Sequence, residues 1–216
     1  MILEKMSDFF ERRKVGYDEH MLCDVEGCKN GYRVLATLVP ENTEALLDLG
    51  CGTGLELAPI FERIPDVSVT GIDMCEGMLG LLREKYGEKS LTLINASYLG
   101  YDFGNEQYDC AISFETMHHM THGEKLSVYS SVYNSLKEGG AYIEGDYMVR
   151  TQDEEDALFA ESARLRREQG IPDGEFYHFD TPCTVDNQIK LLKAAGFSEA
   201  LEIWCEGNTV IIKAIR

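Results

Sequence analysis

Positive charge is scarce in this chain. Its 20 lysines and arginines stand against 38 aspartates and glutamates, a formal net charge of −18. So negative a surface repels phosphate backbones, which disfavours nucleic acid as substrate or partner. The basic residues gather only in short runs, Glu11-Arg12-Arg13-Lys14 and Arg164-Leu165-Arg166-Arg167, with acids beside them. Long apolar runs are also missing. A membrane-spanning helix needs about 18 or more apolar residues in a row, and no such run occurs, so no membrane span is expected. Residues 1–8 lack the basic-then-apolar layout of a secretory signal. The 7 cysteines are odd in number and scattered through predicted strands and loops. That suits free thiols better than a disulfide frame, and a reducing, cytoplasmic location is expected. Cys23 and Cys28 form a C-x4-C pair with no second pair of ligands nearby, so no zinc site is expected there. No G-x-S-x-G elbow occurs, which leaves hydrolase chemistry without support. Repeats and low-complexity linkers are absent too. The 216 residues, 44% of them hydrophobic, suffice for one domain with a sizeable core.

What the chain does have is concentrated in Leu46-Leu47-Asp48-Leu49-Gly50-Cys51-Gly52-Thr53-Gly54. An apolar run ending in alternate glycines reads as a buried parallel strand entering a tight loop. The glycines let backbone pass close to a ligand where a Cβ would collide. A dinucleotide fingerprint, G-x-G-x-x-G, would need glycine at 55, and Leu55 stands there. Residues 67–73 form a second predicted strand ending in Asp73. That acid lies about 20 residues after the glycine loop, where it can accept hydrogen bonds from ribose hydroxyls. It can equally cap the helix that follows.

The nonapeptide resembles motif I of the class I S-adenosylmethionine-dependent methyltransferases, an apolar pair followed by D-x-G-C/S-G-x-G. The resemblance runs strongly over 44–146 and more weakly over 183–215. It implies S-adenosyl-L-methionine as cofactor and S-adenosyl-L-homocysteine as product. It places Asp48, Gly50, Cys51, Gly52 and Gly54 around the cofactor, Asp73 and Met74 at the ribose, and Asn95, Ala96 and Ser97 at the adenine. Phe114 and Glu115, after the fourth strand, fall beside the methionine end. Asp8-Phe9-Phe10 through Tyr17-Asp18 is similar to the opening of small-molecule members, where the tyrosine closes over the cofactor. Arg13-Lys14-Val15-Gly16 departs from that pattern, so Tyr17 reads equally as a core aromatic.

The expected fold is α/β: a Rossmann-like, seven-stranded, mostly parallel sheet with helices on both faces, an antiparallel last strand and a helical N-terminal cap. One methyltransferase domain over 1–216 is expected to divide into a cap (1–40), a cofactor-binding core (44–146), a lid insert (147–182) and a C-terminal helix with strands (183–216). Helices are predicted over 18–38, 55–63, 76–86, 123–136, 153–169 and 185–195, the last stopped by Gly196.

Methyl transfer from a sulfonium is an in-line displacement, so the protein mainly orients reactants and accepts a proton. Glu115-Thr116-Met117-His118-His119-Met120 resembles the E-S-L-H-H-M segment of small-molecule O- and C-methyltransferases. There, one histidine of the pair and an acid after the fifth strand form a base dyad. His119 or His118 with Asp146 is the corresponding candidate here, since imidazole titrates near neutrality and a carboxylate fixes its tautomer. The alternatives for the pair are packing or cofactor contact. His122 is expected to cap the helix over 123–136 or to be exposed. His118, His119, His122, Glu144, Asp146 and His178 are ligand types, but they come from separate loops, so no metal is expected.

The acceptor pocket is expected to be walled by Phe9, Phe10, Tyr17, Tyr147, Phe176, Tyr177 and His178, which suits an aromatic or partly apolar small molecule with an O, N or C acceptor. The [Asp/Asn]-Pro-Pro-aromatic signature of exocyclic base-amine methylation is missing. Pro182-Cys183, which resembles a C5-cytosine motif in type, falls after the fifth strand and reads as a turn before a helix at Thr184. Two alternatives remain beside a small-molecule enzyme: a tRNA wobble-uridine-modifying enzyme of the same core, and a cofactor-binding protein without transfer activity. A monomer or homodimer is expected.

Overall fold

A computed structural model describes residues 1–216. Seven strands form one sheet: β1 (Ala45–Leu49), β2 (Ser68–Asp73), β3 (Leu91–Asn95), β4 (Tyr108–Phe114), β5 (Leu136–Tyr147), β6 (Glu199–Glu206) and β7 (Thr209–Ile215). Their order across the sheet is β3-β2-β1-β4-β5-β7-β6, with β7 antiparallel to both its neighbours and the remaining pairings parallel. The expected sheet is the observed one. Leu46, Leu47 and Leu49 of β1 are fully buried. Leu46 joins the core on one face of the sheet and Leu47 and Leu49 join the core on the other. Alternate side chains point to opposite faces, so a strand covered on both sides reads as a continuous apolar run.

The sheet order reverses between β1 and β4. Chains leaving their carboxyl ends turn in opposite directions, which opens a crevice at that switch point. Into it run the glycine loop after β1 and the histidine loop after β4. Helices α4 (Leu57–Arg63), α5 (Glu76–Tyr86), α6 (His122–Ser135) and α8 (Val185–Ala195) cover the faces. Gly196 ends α8 at φ +118°, a conformation that suits glycine. At α6 the cap is Thr121, in a reciprocal box with Glu124, and His122 is the first helical residue instead. The His122 Nε2 lies 2.7 Å from Glu155 Oε1.

The single helix expected over 18–38 is broken. Before β1 the chain forms α1 (Met6–Arg13), α2 (Tyr17–Cys23) and α3 (Cys28–Leu38). Gly27 sits between the last two at φ +85°, pressed onto the β6–β7 turn. A Cβ there would stand 2.6 Å from the Glu206 carbonyl oxygen. Close approach to that turn decides the break, and helical periodicity carries no trace of it.

The remaining helix, α7 (Gln152–Glu168), follows β5 and begins the insert. The insert ends beside the N-terminal segment. Met6 N–H donates to the Phe176 carbonyl at 3.0 Å and His178 N–H to the Glu4 carbonyl at 2.9 Å. The Phe9 and His178 rings stack with centroids 3.5 Å apart. Together these two segments roof the crevice.

Several acids lie beneath it. Asp48 and Glu56 are buried, and neither oxygen of Asp48 has a hydrogen-bond partner. Burial pushes the Asp48 carboxyl well up and Glu56 up to about 7. Glu144, fully buried on β5, accepts from the Tyr142 hydroxyl at 3.0 Å and from Gln188. Burial and nearby Asp146 push it up to about 7 against the pull of the Lys125 ammonium. Such acids hold a proton in the folded chain that they release when unfolded. Their contribution to stability is complete below the ordinary carboxylate range and lost as pH rises through the folded value. Buried His119, pushed down to about 4, works in the opposite sense below its ordinary value and is outnumbered. The melting temperature should therefore fall as pH rises from about 5 to about 7. Glu56→Gln and Glu144→Gln should each flatten the slope in a pH series of thermal melts, and an unchanged slope in both would contradict the assignment.

Candidate functional site

The glycine loop is held by backbone. Gly50 and Cys51 donate to the Ile72 carbonyl at 2.8 and 3.3 Å, which ties the loop to β2. Gly50, Gly52 and Gly54 all have positive φ. At Gly50 a Cβ would stand 2.5 Å from Thr116 Oγ1, so the loop after β4 closes on it. Asp73, at the tip of β2, accepts from Gly52 N–H at 3.0 Å and from Cys75 N–H at 2.7 Å. It thus fastens the glycine loop and opens α5 at once. Each oxygen keeps a lone pair, and burial pushes the carboxyl up.

Two adjoining cavities open here. The smaller, about 50 Å³, is lined by Gly50, Asp73, Met74, Ala96, Ser97, Tyr98 and Thr116 from the core, and by Met6, Phe10 and Phe176 from the roof. The larger, about 690 Å³, is walled by Phe9, Phe10, Tyr17 and Tyr147, with Glu115, His118, His119, His178 and Asp180 among its polar groups. Phe10 and His119 line both. Of the expected wall residues, Phe176 falls in the smaller cavity and Tyr177 in neither. Asn95 also lies outside both, its amide donating to the Asp73 carbonyl at 3.1 Å. Phe114 is buried against Tyr32, Gly31 and Gly145. Cys51 is buried with its sulfur against Gly71, and Asp48 lies beneath the loop.

The histidines hang on a short 3-10 turn, Met117–His119, directly after β4. Glu115, two residues before the turn, has φ +50°, a conformation costly for a residue with a Cβ. The insert is pinned onto the turn: Thr181 N–H and Oγ1 both donate to the His118 carbonyl, at 2.6 and 3.1 Å. Asp180 is thereby brought beside the imidazoles. His118 Nδ1 lies 2.7 Å from Asp146 Oδ1 on β5. His119 Nδ1 lies 3.3 Å from Asp180 Oδ1, out of line for a hydrogen bond, and neither atom has another partner. The Nε2 atoms of His118 and His178 both stand 3.8 Å from the same Asp180 oxygen.

The two neighbouring imidazoles are driven apart electrostatically. Burial alone would lower His118, but Asp146, then Glu115 and Asp180, outweigh it and raise the ring to about 9. Burial and the charge on His118 push His119 down to about 4. Near neutral pH the pair therefore holds one charged and one neutral ring. Asp146 partners His118, so of the two arrangements left open by the sequence the fold selects this one. Asp180 escaped sequence reading altogether. It stands 61 positions after His119, and its only sequence sign is the run His178-Phe179-Asp180 in an aromatic loop.

The chain is similar to known proteins in sequence and in fold. A family model described as a methyltransferase domain matches residues 46–140. An uncharacterized methyltransferase of Anoxybacillus flavithermus is 26% identical over 161 residues, covering 74% of this chain and 73% of that protein. The O-methyltransferase cnsE of Penicillium expansum is 26% identical over 179 residues, covering 81% of this chain and 59% of its own length. Human N-acetylserotonin methyltransferase, solved in complex with S-adenosylmethionine, superposes with a TM-score of 0.62 at 17% identity over 87% of this chain. This chain spans about half of the human one, 51%. The matched span begins on β1 and ends in β5, taking in the glycine loop, Asp73 and the histidine turn, and with the sheet order around them it supports a class I S-adenosylmethionine-dependent methyltransferase, with S-adenosylmethionine as its cofactor.

Proposed function

We propose that the chain methylates a small molecule, aromatic or partly apolar, whose acceptor atom loses a proton during transfer. The observation that carries this is the imidazole pair, backed by Asp146, in the wall of the about 690 Å³ cavity. That volume lies within the range of roughly 300–1,000 Å³ typical of small-ligand sites. Phe9, Phe10, Tyr17 and Tyr147 give it apolar walls. The two arginines at its rim, Arg12 and Arg13, are paired with Glu4, which leaves little for a phosphate backbone and argues against the tRNA-modifying alternative.

The residues present fit the cofactor. Asp73 has free lone pairs facing the smaller cavity for ribose hydroxyls, and Gly50 brings backbone to the same wall. Ala96 and Ser97 border the place of the adenine. Glu115 and Tyr17 line the larger cavity, where they would border the methionine end. At about 50 Å³ the adenosyl side is far below the size of a ligand site, and Met6, Phe10 and Phe176 of the roof intrude on it. Admitting an adenosyl group requires that roof to move.

When bound, the cofactor supplies a methyl group on a sulfonium, an electrophile already activated. The chain has to orient the acceptor and take its proton. His119 borders both cavities and is the neutral member of the pair, so it is the group that accepts. The Asp146–His118 pair fixes the turn and holds the neighbouring charge.

Three outcomes test this reading. Asp73→Ala removes a charge-assisted hydrogen bond worth about 1.5–3 kcal/mol, so calorimetric affinity for S-adenosylmethionine should drop roughly 10- to 100-fold. Unchanged affinity would exclude the ribose assignment. His119→Ala and Asp146→Ala should each lower turnover about 10²- to 10⁴-fold with cofactor affinity nearly unchanged, and their losses should be far from additive. Full activity in both would mean the acceptor needs no base. Hydrogen exchange over 1–13 and 170–182 should slow when S-adenosylhomocysteine binds. Strong protection already in the free protein would make the roof a static insert.

A further inference from the structure

The histidine cluster is also a donor set. His118 gives its Nδ1–H to the Asp146 carboxylate at 2.7 Å, so the nitrogen left for another partner is Nε2, which faces Asp180. The His119 side chain is 7% exposed, and its Nδ1 has no hydrogen-bond partner. Asp180 Oδ1 is likewise buried and unpartnered, 3.3 Å away. The ring nitrogen's axis misses that oxygen, so no hydrogen bond joins the two atoms and both are left unpartnered. A cation to one side of the line between them can take both as ligands.

The spacing is that of a metal's ligands. His118, His119 and Asp180 offer donor atoms that all lie within 4.8 Å of one another. Zinc bonds of about 2.0–2.1 Å in tetrahedral geometry place neighbouring donors about 3.4 Å apart. The two edges to Asp180 Oδ1 are 3.3 and 3.8 Å. Behind His118, Asp146 completes a carboxylate–histidine–metal arrangement, which orients the ring and strengthens it as a ligand. Glu115, 3.7 Å from His118 Nδ1, adds negative charge at the same place.

We propose that His118 Nε2, His119 Nδ1 and Asp180 Oδ1 bind a divalent first-row transition ion of zinc type, with its remaining position open to the larger cavity. Two imidazoles and one carboxylate suit such an ion better than magnesium or calcium, which prefer oxygen. All three residues line that cavity, so an acceptor oxygen can reach the open position. His178 Nε2, 3.8 Å from Asp180 Oδ1, stands at the rim of the set. For its role the site rests on the acceptor reading above; for its existence it does not. Cation and proton compete for the same nitrogens. The base pair described above acts in the metal-free chain, and the bound ion would acidify the acceptor in its place.

A second cluster, His122, Glu155 and Cys183, is a poorer candidate. The Lys125 ammonium lies 3.1 Å from the Cys183 sulfur and opposes a cation. Glu155 already accepts from Asn187 and Thr184.

The test uses full-length protein stripped with a chelator and titrated with zinc chloride in a calorimeter, without cofactor or acceptor. One ion per chain should bind. Asp180→Asn and His119→Ala should each weaken binding at least about 100-fold, and Asp146→Asn about 10- to 100-fold. Cobalt(II) should give visible bands of tetrahedral or five-coordinate intensity in the wild type and lose them in Asp180→Asn. That replacement keeps the shape of a side chain 43% exposed, and its melting temperature checks the fold. Glu155→Gln should leave zinc binding unchanged. Absence of stoichiometric binding, binding that survives both Asp180→Asn and His119→Ala, or binding abolished by Glu155→Gln would overturn the proposal. Activity that needs His119 in a chain binding no zinc would remove the metal and leave the methyl-transfer reading. Zinc bound as described, with no transfer to any acceptor, would do the reverse.

Discussion

The hydrogen bond between His118 Nδ1 and Asp146 Oδ1, 2.7 Å long and buried, orders much of the site. It joins the turn after β4 to β5, two parallel neighbours in the sheet, and fixes which ring nitrogen faces the cavity. The carbonyl of the same histidine receives both donors of Thr181. The far end of the insert is therefore anchored to the turn, and Asp180 comes with it. Paired and buried on the sheet side, the ring is rigid, while the partners it recruits come from a loop that reaches over the crevice.

Charge gives the site its character. The chain carries a net −18, and part of the excess is placed inside. Glu115, Asp146 and Asp180 surround the histidines, and Asp48, Glu56 and Asp73 underlie the glycine loop. Burying so many acids costs stability unless they are protonated or paired. A sulfonium is a cation, so it favours ionisation of the acids that border it in a medium less polar than water. Strained Glu115 belongs to the same pattern, since unfavourable backbone tends to persist where ligands are held.

The sequence made the central frame legible because the frame obeys local rules. A continuous apolar run marked β1, alternate glycines marked the loop, and Thr184 and Gly196 marked the ends of α8. Asp73 was legible by its distance from the loop. Three features were not. The break at Gly27 comes from a turn some 180 positions away, as do most close approaches that only tertiary structure creates. The assignment of Asp146 to His118 depended on which ring the 3-10 turn aims at β5, since neighbouring side chains on such a turn point about 120° apart. Asp180 lay in an insert with no regular periodicity, and nothing local tied it to residues 118 and 119. Ligand types that looked scattered along the chain thus meet in space.

Transfer of a methyl group from S-adenosylmethionine to a small molecule held beside the histidine turn is tested most directly by following S-adenosylhomocysteine release when the chain is given two fractions of a cell extract, small metabolites and total RNA. Release is expected with the metabolite fraction, saturable and accompanied by one methylated product of low mass, and none above background with RNA. Release with RNA alone, or with neither fraction despite bound cofactor, would contradict it.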